Sequence, residues 1–265
     1  MERIPVPAAA GIASREGSHL AVRLDTPPGA RPGEAPFCFL YLHGFGSRQE
    51  GEKADLFRRS ALALGIPFAS FDFQGHGQSG GDLRGLTLTR NLADVRRVRE
   101  WLRERGHERI CLIGSSMGGG TALWECALHP EGVVAGLHIA PALEMDRGLL
   151  AWAGEEGTRR WRETGAILFQ NDLVSSELGW ELIEDLQAHP LDELLVRFRT
   201  PTLLLQGKRD TSVSWRPVVD FAVRCPYEGI EVHLFADGDH RFLDRLERLW
   251  ELMVEFLRGR GLLPA

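Results

Sequence analysis

Ser116 stands at the centre of Gly114-Ser115-Ser116-Met117-Gly118, a Gly-x-Ser-x-Gly spacing. A serine hydroxyl is a poor nucleophile at neutral pH; it needs an adjacent base, and the base needs an orienting acid. With such partners the pattern points to attack on a carbonyl carbon. The flanking residues favour this over an ordinary glycine-rich loop. Ile110-Cys111-Leu112-Ile113 reads as a buried strand, and Thr121–Leu128 as a helix of small and apolar residues. A serine on the sharp turn between strand and helix is lifted clear of the sheet, its backbone in a sparsely populated conformation. Gly114 and Gly118 permit that turn, because a Cβ at either would collide where the helix folds back over the strand.

The partners should lie in loops at the carboxyl ends of later strands, in the chain order serine, acid, histidine. Nine histidines reduce quickly under that constraint. His19, His43, His76 and His107 precede Ser116, and His129 lies at the far end of the following helix. His138 and His233 fall inside predicted strands, and His189 closes an irregular stretch. His240, in Ala236-Asp237-Gly238-Asp239-His240, follows the last predicted strand directly and is the expected base. Asp210 follows the strand Leu203–Gln206 through Gly207-Lys208-Arg209 and is the expected acid, with Glu144 and Asp146 as runners-up. Asp237 and Asp239 are too near His240 along the chain to approach its ring from behind. A developing oxyanion needs preorganised donors, worth about 2.7–4 kcal/mol each. The expected donors are the backbone N–H groups of Met117 and of Phe45, the latter in His43-Gly44-Phe45-Gly46. His43 itself reads as a loop-stabilising residue, being on the wrong side of Ser116 for the base.

The elements that must position these residues alternate between strand and helix. Phe37–Leu42 and Pro67–Phe73 are continuous apolar runs, as expected of strands buried on both faces. Val133–Ala140, Thr202–Gly207 and Glu231–Phe235 are further strands, and Ala9–Ser14 and His19–Asp25 are weaker candidates. Helices are predicted at Glu52–Leu64, Leu88–Arg105, Leu191–Arg199, Trp215–Arg224 and Arg241–Arg258 from apolar residues recurring at helical spacing. This alternation implies a mainly parallel sheet covered on both faces. It lapses over about 141–189, where Trp152, Trp161, Ile167-Leu168-Phe169 and Trp180 lie among charged residues. That stretch is expected to be a lid inserted into a single domain spanning 1–265. Leu143, Trp152, Trp161, Phe169 and Trp215 are the candidates to line an apolar pocket.

Composition narrows the function classes. The 265 residues are 43% hydrophobic and 26% charged, enough for a substantial core. A net charge of −6 without a long basic cluster argues against nucleic acid. No apolar run reaches the ~20 residues that span a bilayer. Met1–Pro7 lacks the apolar core of a signal peptide, so a cytoplasmic location is the expectation. Cys38, Cys111, Cys126 and Cys225 are scattered without Cys-x-x-Cys spacing, as inert buried thiols would be. The basic residues are nearly all arginine, with Lys53 and Lys208 the only lysines.

Along nearly its whole length the chain resembles the serine α/β-hydrolases. The matching elements are His43-Gly44-Phe45-Gly46, Phe71-Asp72-Phe73-Gln74-Gly75-His76-Gly77-Gln78-Ser79, Gly114-Ser115-Ser116-Met117-Gly118-Gly119, Gln206-Gly207-Lys208-Arg209-Asp210 and Gly238-Asp239-His240. The resemblance implies an α/β-hydrolase fold with a mostly parallel eight-stranded sheet. The front half is similar to bacterial feruloyl and cinnamoyl esterases. The Gly-Ser-Ser-Met-Gly-Gly turn, Asp210-x-x-Val213-x-Trp215 and Asp239-His240-Arg241 are similar to mitochondrial acyl-protein thioesterases that also cleave acyl glucuronides. The histidine before Gly44 departs from that second group. The expectation is hydrolysis of a small-molecule carboxylic ester or thioester through an acyl-enzyme, without metal or organic cofactor. The rivals are a peptidase or amidase of the same fold, a non-catalytic binding protein, and, more remotely, a metal hydrolase using His43, His76 and Asp72.

Overall fold

A computed structural model of the chain describes residues 1–6, 18–31, 33–170 and 174–264. Its elements run β1 (Glu2–Pro5), β2 (His19–Asp25), β3 (Cys38–Leu42), α1 (Glu52–Ala63), β4 (Phe68–Phe71), α2 (Leu88–Arg103), β5 (Ile110–Ser115), α3 (Met117–Leu128) and β6 (Val133–Ile139). They continue with α4 (Met145–Thr164), β7 (Ala166–Gln170), β8 (Ser175–Gly179), α5 (Glu181–Gln187), α6 (Leu191–Arg197), β9 (Thr202–Gly207), α7 (Arg216–Arg224), β10 (Ile230–Phe235) and α8 (Leu246–Gly259). Eight strands form one sheet in the order β1-β2-β4-β3-β5-β6-β9-β10. β2 pairs antiparallel with both β1 and β4, and the remaining neighbours are parallel. The mostly parallel eight-stranded architecture expected from the motifs is therefore present.

Alternation along the strands separates two apolar layers. Cys38, Leu40 and Leu42 of β3 and Ile110 and Leu112 of β5 face the layer with α2 and α3. Phe39, Tyr41, Cys111 and Ile113 face the other, with Phe57 of α1 and Leu249 and Met253 of α8. The helices form for local reasons too. The Thr87 side chain accepts a hydrogen bond from Arg90 N at 3.0 Å, capping α2, whose Leu88, Leu92, Val95, Val98 and Leu102 are buried. In α8 the buried Leu246, Leu249, Met253, Phe256 and Leu257 repeat at helical spacing.

Two departures from the sequence reading have simple causes. β1 was not expected; it is an edge strand with only Ile4 buried, so it carries no apolar run to betray it. The irregular stretch after β6 is ordered, as α4, the antiparallel hairpin β7–β8 and α5. Charged and glycine residues dilute the apolar stripe of α4, and Gly154 at φ 67° breaks it midway. Buried residues of this insertion, including Trp161, Leu178 and Ile183, join the apolar layer of α2 and α3. The strand expected over Ala9–Ser14 lies outside the described residues. Among the described residues no helix is long and apolar enough to cross a membrane.

The turn between β5 and α3 brings backbone segments into close contact. Ser116 sits at φ 56° and ψ −119°, one of three non-glycine residues with positive φ among the described residues; Ala140, directly after β6, and Phe242 are the others. A Cβ on Gly114 would stand 2.5 Å from Gly118 O, and one on Gly118 would stand 2.3 Å from Leu42 O. Neither backbone neighbour can yield without moving β3 or α3. Gly118→Ala is therefore expected to destabilise the fold by about 2 kcal/mol or more, lowering the melting temperature by about 5 °C or more. Calorimetry or circular dichroism of the variant checks this.

Candidate active site

Residues distant in sequence converge at the carboxyl ends of β5, β9 and β10. Ser116 opens α3, half-buried. Its hydroxyl lies 3.1 Å from His240 Nε2, and His240 Nδ1 lies 2.7 Å from Asp210 Oδ2. The Asp210 carboxylate accepts a hydrogen from Nδ1, which leaves Nε2 free to accept the serine proton. The Asp210 side chain is fully buried, while that of His240 is 25% exposed. Asp210 Oδ1 accepts the backbone N–H groups of Ser212 and Val213, each at 2.8 Å, and Oδ2 accepts from Gln206 Nε2 at 3.2 Å. Burial alone would push this carboxyl up, but the His240 hydrogen bond and charge, with the two backbone donors, hold it below its ordinary value. Asp210 is thus an anion wherever the protein is folded near neutral pH.

The loops carrying Asp210 and His240 are tied to each other. Arg209 N donates to Gly238 O and Lys208 N to Phe235 O, both at 2.9 Å. A Cβ on Gly207 would come 2.2 Å from Gly238 O, so glycine lets the two loops touch. Asp239 Oδ1 accepts from Arg241 N and Phe242 N at 3.0 and 2.6 Å, setting the turn that presents His240.

On the other side of Ser116 lies the loop after β3. A Cβ on Gly44 would be 3.2 Å from Ser116 Cβ and 3.8 Å from its Oγ, so this backbone runs directly beside the serine. His43 supports the loop. Its Nε2 accepts from Phe73 N at 3.1 Å, and its Nδ1 donates to Gly44 O at 2.8 Å. Burial pushes the ring down to about 4, so it is neutral and both nitrogens are committed. Asp72 clamps the far end: its carboxylate accepts Gln49 N at 2.6 Å and Gln78 N at 2.9 Å. The arrangement leaves His43 no nitrogen for a metal, and among the described residues no group of three or more His, Cys, Asp or Glu is placed to hold one.

The expected pocket residues divide. The Phe45 ring packs edge-on against Phe169 at 5.3 Å, and Phe169 against Trp152 at 4.7 Å, so an aromatic series joins the loop beside Ser116 to the insertion. Leu143 and Met117 line a cavity of about 450 Å³ that Leu86, Leu88 and Leu182 also line, together with the polar Asn91, Glu144, Asp146, Arg147, Asp192, Asp220 and Arg224. Trp161 is a correction. It is wholly buried, edge-on to Trp180 at 5.6 Å, and its Nε1 donates to Leu178 O at 2.9 Å, so it holds the insertion together and faces no pocket. Trp215, on the loop before α7, carries the Arg216 guanidinium 5.0 Å over its ring and stands outside the aromatic series. Gln206, Gln49 and Lys53, whose Nζ lies 3.0 Å from Ser115 Oγ, escaped the sequence reading because they act by local hydrogen bonds that no spacing announces.

Comparison with known proteins follows the same lines. The sequence matches the model of the alpha/beta hydrolase family over residues 39–253. The mitochondrial palmitoyl-protein thioesterase ABHD10 of Bos taurus is 26% identical over 214 residues, covering 78% of this chain and 68% of that protein. Among solved structures, alpha/beta hydrolase domain-containing protein 10 from mouse gives a TM-score of 0.76 at 23% identity, over 93% of this chain and 97% of that one. Est1E from Butyrivibrio proteoclasticus, with ferulic acid bound, gives 0.73 at 19% identity, over 97% of this chain and all of the other. The two structural likenesses concern the fold. By the extent of its family match and by the sheet that carries it, the chain belongs to the alpha/beta hydrolase family.

Proposed function

We propose that the protein is a serine hydrolase that cleaves carboxylic esters or thioesters with an apolar acyl group. The observation that carries the reading is the unbroken hydrogen-bonded series from Ser116 through His240 to Asp210. In the first step His240 Nε2 takes the Ser116 proton as the hydroxyl oxygen attacks the substrate carbonyl. Asp210 fixes the imidazole tautomer and offsets the charge of the imidazolium. The backbone N–H groups of Phe45 and Met117 hold the oxyanion, the second of them at the start of α3, where the helix dipole adds to it. The tetrahedral intermediate expels the alcohol or thiol, which leaves with the proton from His240. Water then attacks the acyl-serine by the same route, releasing the acid and restoring Ser116.

The acyl side is assigned to the Leu143–Met117 cavity and to the Phe45–Phe169–Trp152 series. Half-exposed Trp152 and exposed Leu168 place apolar surface on the insertion beside them, which suits a lid over an apolar substrate. The names of two similar proteins, a palmitoyl-protein thioesterase and Est1E with ferulic acid bound, support acyl hydrolysis as the reaction class.

A fluorophosphonate probe is expected to label Ser116 and spare Ser115, read by mass spectrometry of the labelled peptide; labelling elsewhere overturns the assignment. Asp210→Asn is expected to keep the fold and lower kcat by about 10⁴-fold, because the ring loses its tautomer. Gly44→Ala, which crowds Ser116, is expected to lower kcat at least about tenfold with less effect on stability. Across a series of acyl esters and matched thioesters, two methylenes buried at about 0.8 kcal/mol each should raise kcat/KM about tenfold from acetyl to butyryl. A profile that falls with chain length would remove the apolar acyl site.

A further inference from the structure

The cavity that Met117 opens is not apolar throughout. One wall follows a single face of α3, where Met117, Thr121 and Trp124 stand at positions i, i+4 and i+7 and all line it. Asn91 lines it from α2. Asn91 and Thr121 are only 3% and 1% exposed, yet among the described residues neither Asn91 Oδ1 nor Thr121 Oγ1 has a hydrogen-bond partner. Other buried polar side chains of α2 are engaged: Arg90 and Asp94 both bond to Gln74, and Arg99 to Glu125. Buried polar atoms are nearly always paired, because removing them from water without replacement is costly. Two unpaired ones on the same cavity are a demand for hydrogen bonds that a bound molecule can meet.

The demand has a defined chemistry. An amide oxygen only accepts, so the occupant must present a hydrogen to Asn91, while a threonine hydroxyl can donate or accept. A carboxylate has no hydrogen for Asn91 Oδ1. A charged group of either sign would also lose its water beside Leu86, Leu88 and Leu182. The charges around the cavity are engaged with one another nearer solvent, Arg224 with Asp192 and Asp220, and Arg147 with Glu144. A neutral hydroxyl both donates and accepts, and so satisfies both atoms. Helix geometry sets its depth. Thr121 is five residues beyond Ser116, which is about 7.5 Å along the axis of α3. An extended chain covers that length in about six single bonds.

We infer that Asn91 and Thr121 form a hydroxyl-binding subsite, selecting acyl groups that carry a hydroxyl about six bonds from the carbonyl carbon. The inference rests on the proposed acyl hydrolysis for which end of the substrate enters the cavity. It narrows the acyl group from apolar to apolar with one distal hydroxyl.

The test compares the p-nitrophenyl esters of ω-hydroxyhexanoate and heptanoate, which differ only by hydroxyl against methyl at the chain end. The parent is expected to favour the hydroxy ester at least about tenfold in kcat/KM. Asn91→Leu and Thr121→Val are each expected to lower that ratio by about three- to tenfold, and together to reverse it. Melting temperature is the structural control. Exchanging an unpaired buried polar group for an apolar one of the same shape leaves stability level or raised, so a fall in Thr121→Val shows a structural partner for the hydroxyl and overturns the inference. Calorimetric titration of the parent with ω-hydroxy-N-methylhexanamide and N-methylheptanamide reads the subsite without turnover, the first expected to bind about tenfold more tightly. Equal binding, as when ordered water already satisfies both atoms, or a kcat/KM ratio that neither substitution moves, also overturns it. A parent that hydrolyses neither ester but prefers the hydroxy amide removes the hydrolase reading and keeps the subsite.

Discussion

The site depends on how closely the first turn of α3 can lie over β3 and β5. That approach leaves no room for a side chain at Gly114 or Gly118, and it forces Ser116 into a left-handed conformation costing about 1–3 kcal/mol. The strain survives because both flanks are anchored. Ser116 N donates to Ile139 O, and Ser116 O accepts from Gly120 N and Ala142 N. The same closeness brings the backbone of Gly44 beside the serine, so the geometry of one turn decides where the neighbouring loop can run.

Around that turn the support is unequal in kind. The loop after β3 rests on buried polar groups, His43 and Asp72, which bond to backbone atoms of Gly44, Phe73, Gln49 and Gln78. The loops bearing Asp210 and His240 are instead joined backbone to backbone, and their glycines touch. Buried polar networks hold position only when every member is satisfied. A main-chain seam is indifferent to most side-chain changes. The loops of Asp210 and His240 therefore have the more forgiving support and the loop beside Ser116 the more exacting one.

Much of this was legible before any coordinates. The Ser116 turn announced itself by two glycines between a strand and a helix, and chain order together with placement after the last strand singled out His240 from nine histidines. The central strands were plain because burial on both faces leaves nothing but apolar residues in β3, β4 and β5. β1 and the insertion were not, since an edge strand and a half-exposed helix bury too few residues to impose a period. Trp161 was misassigned for a related reason. An aromatic residue amid charges looks the same in sequence whether it meets solvent, a ligand or another tryptophan, and here Trp180 and Leu178 claim it. Lys53 carried no motif at all; its hydrogen bond to Ser115 spans 62 residues of sequence.

The insertion shares its buried residues with the layer beneath α2 and α3, and this constrains how the insertion can move. Swinging the whole insertion aside would tear Trp161, Leu178 and Ile183 from their neighbours and wet a contiguous greasy seam, at a cost comparable to the entire stability of a domain this size. The parts that give up little when they shift are the Trp152 side chain, which is already half in water, and the exposed Leu168 of β7. A shift confined to those few exposed side chains therefore costs far less than any hinge motion of the insertion as a whole.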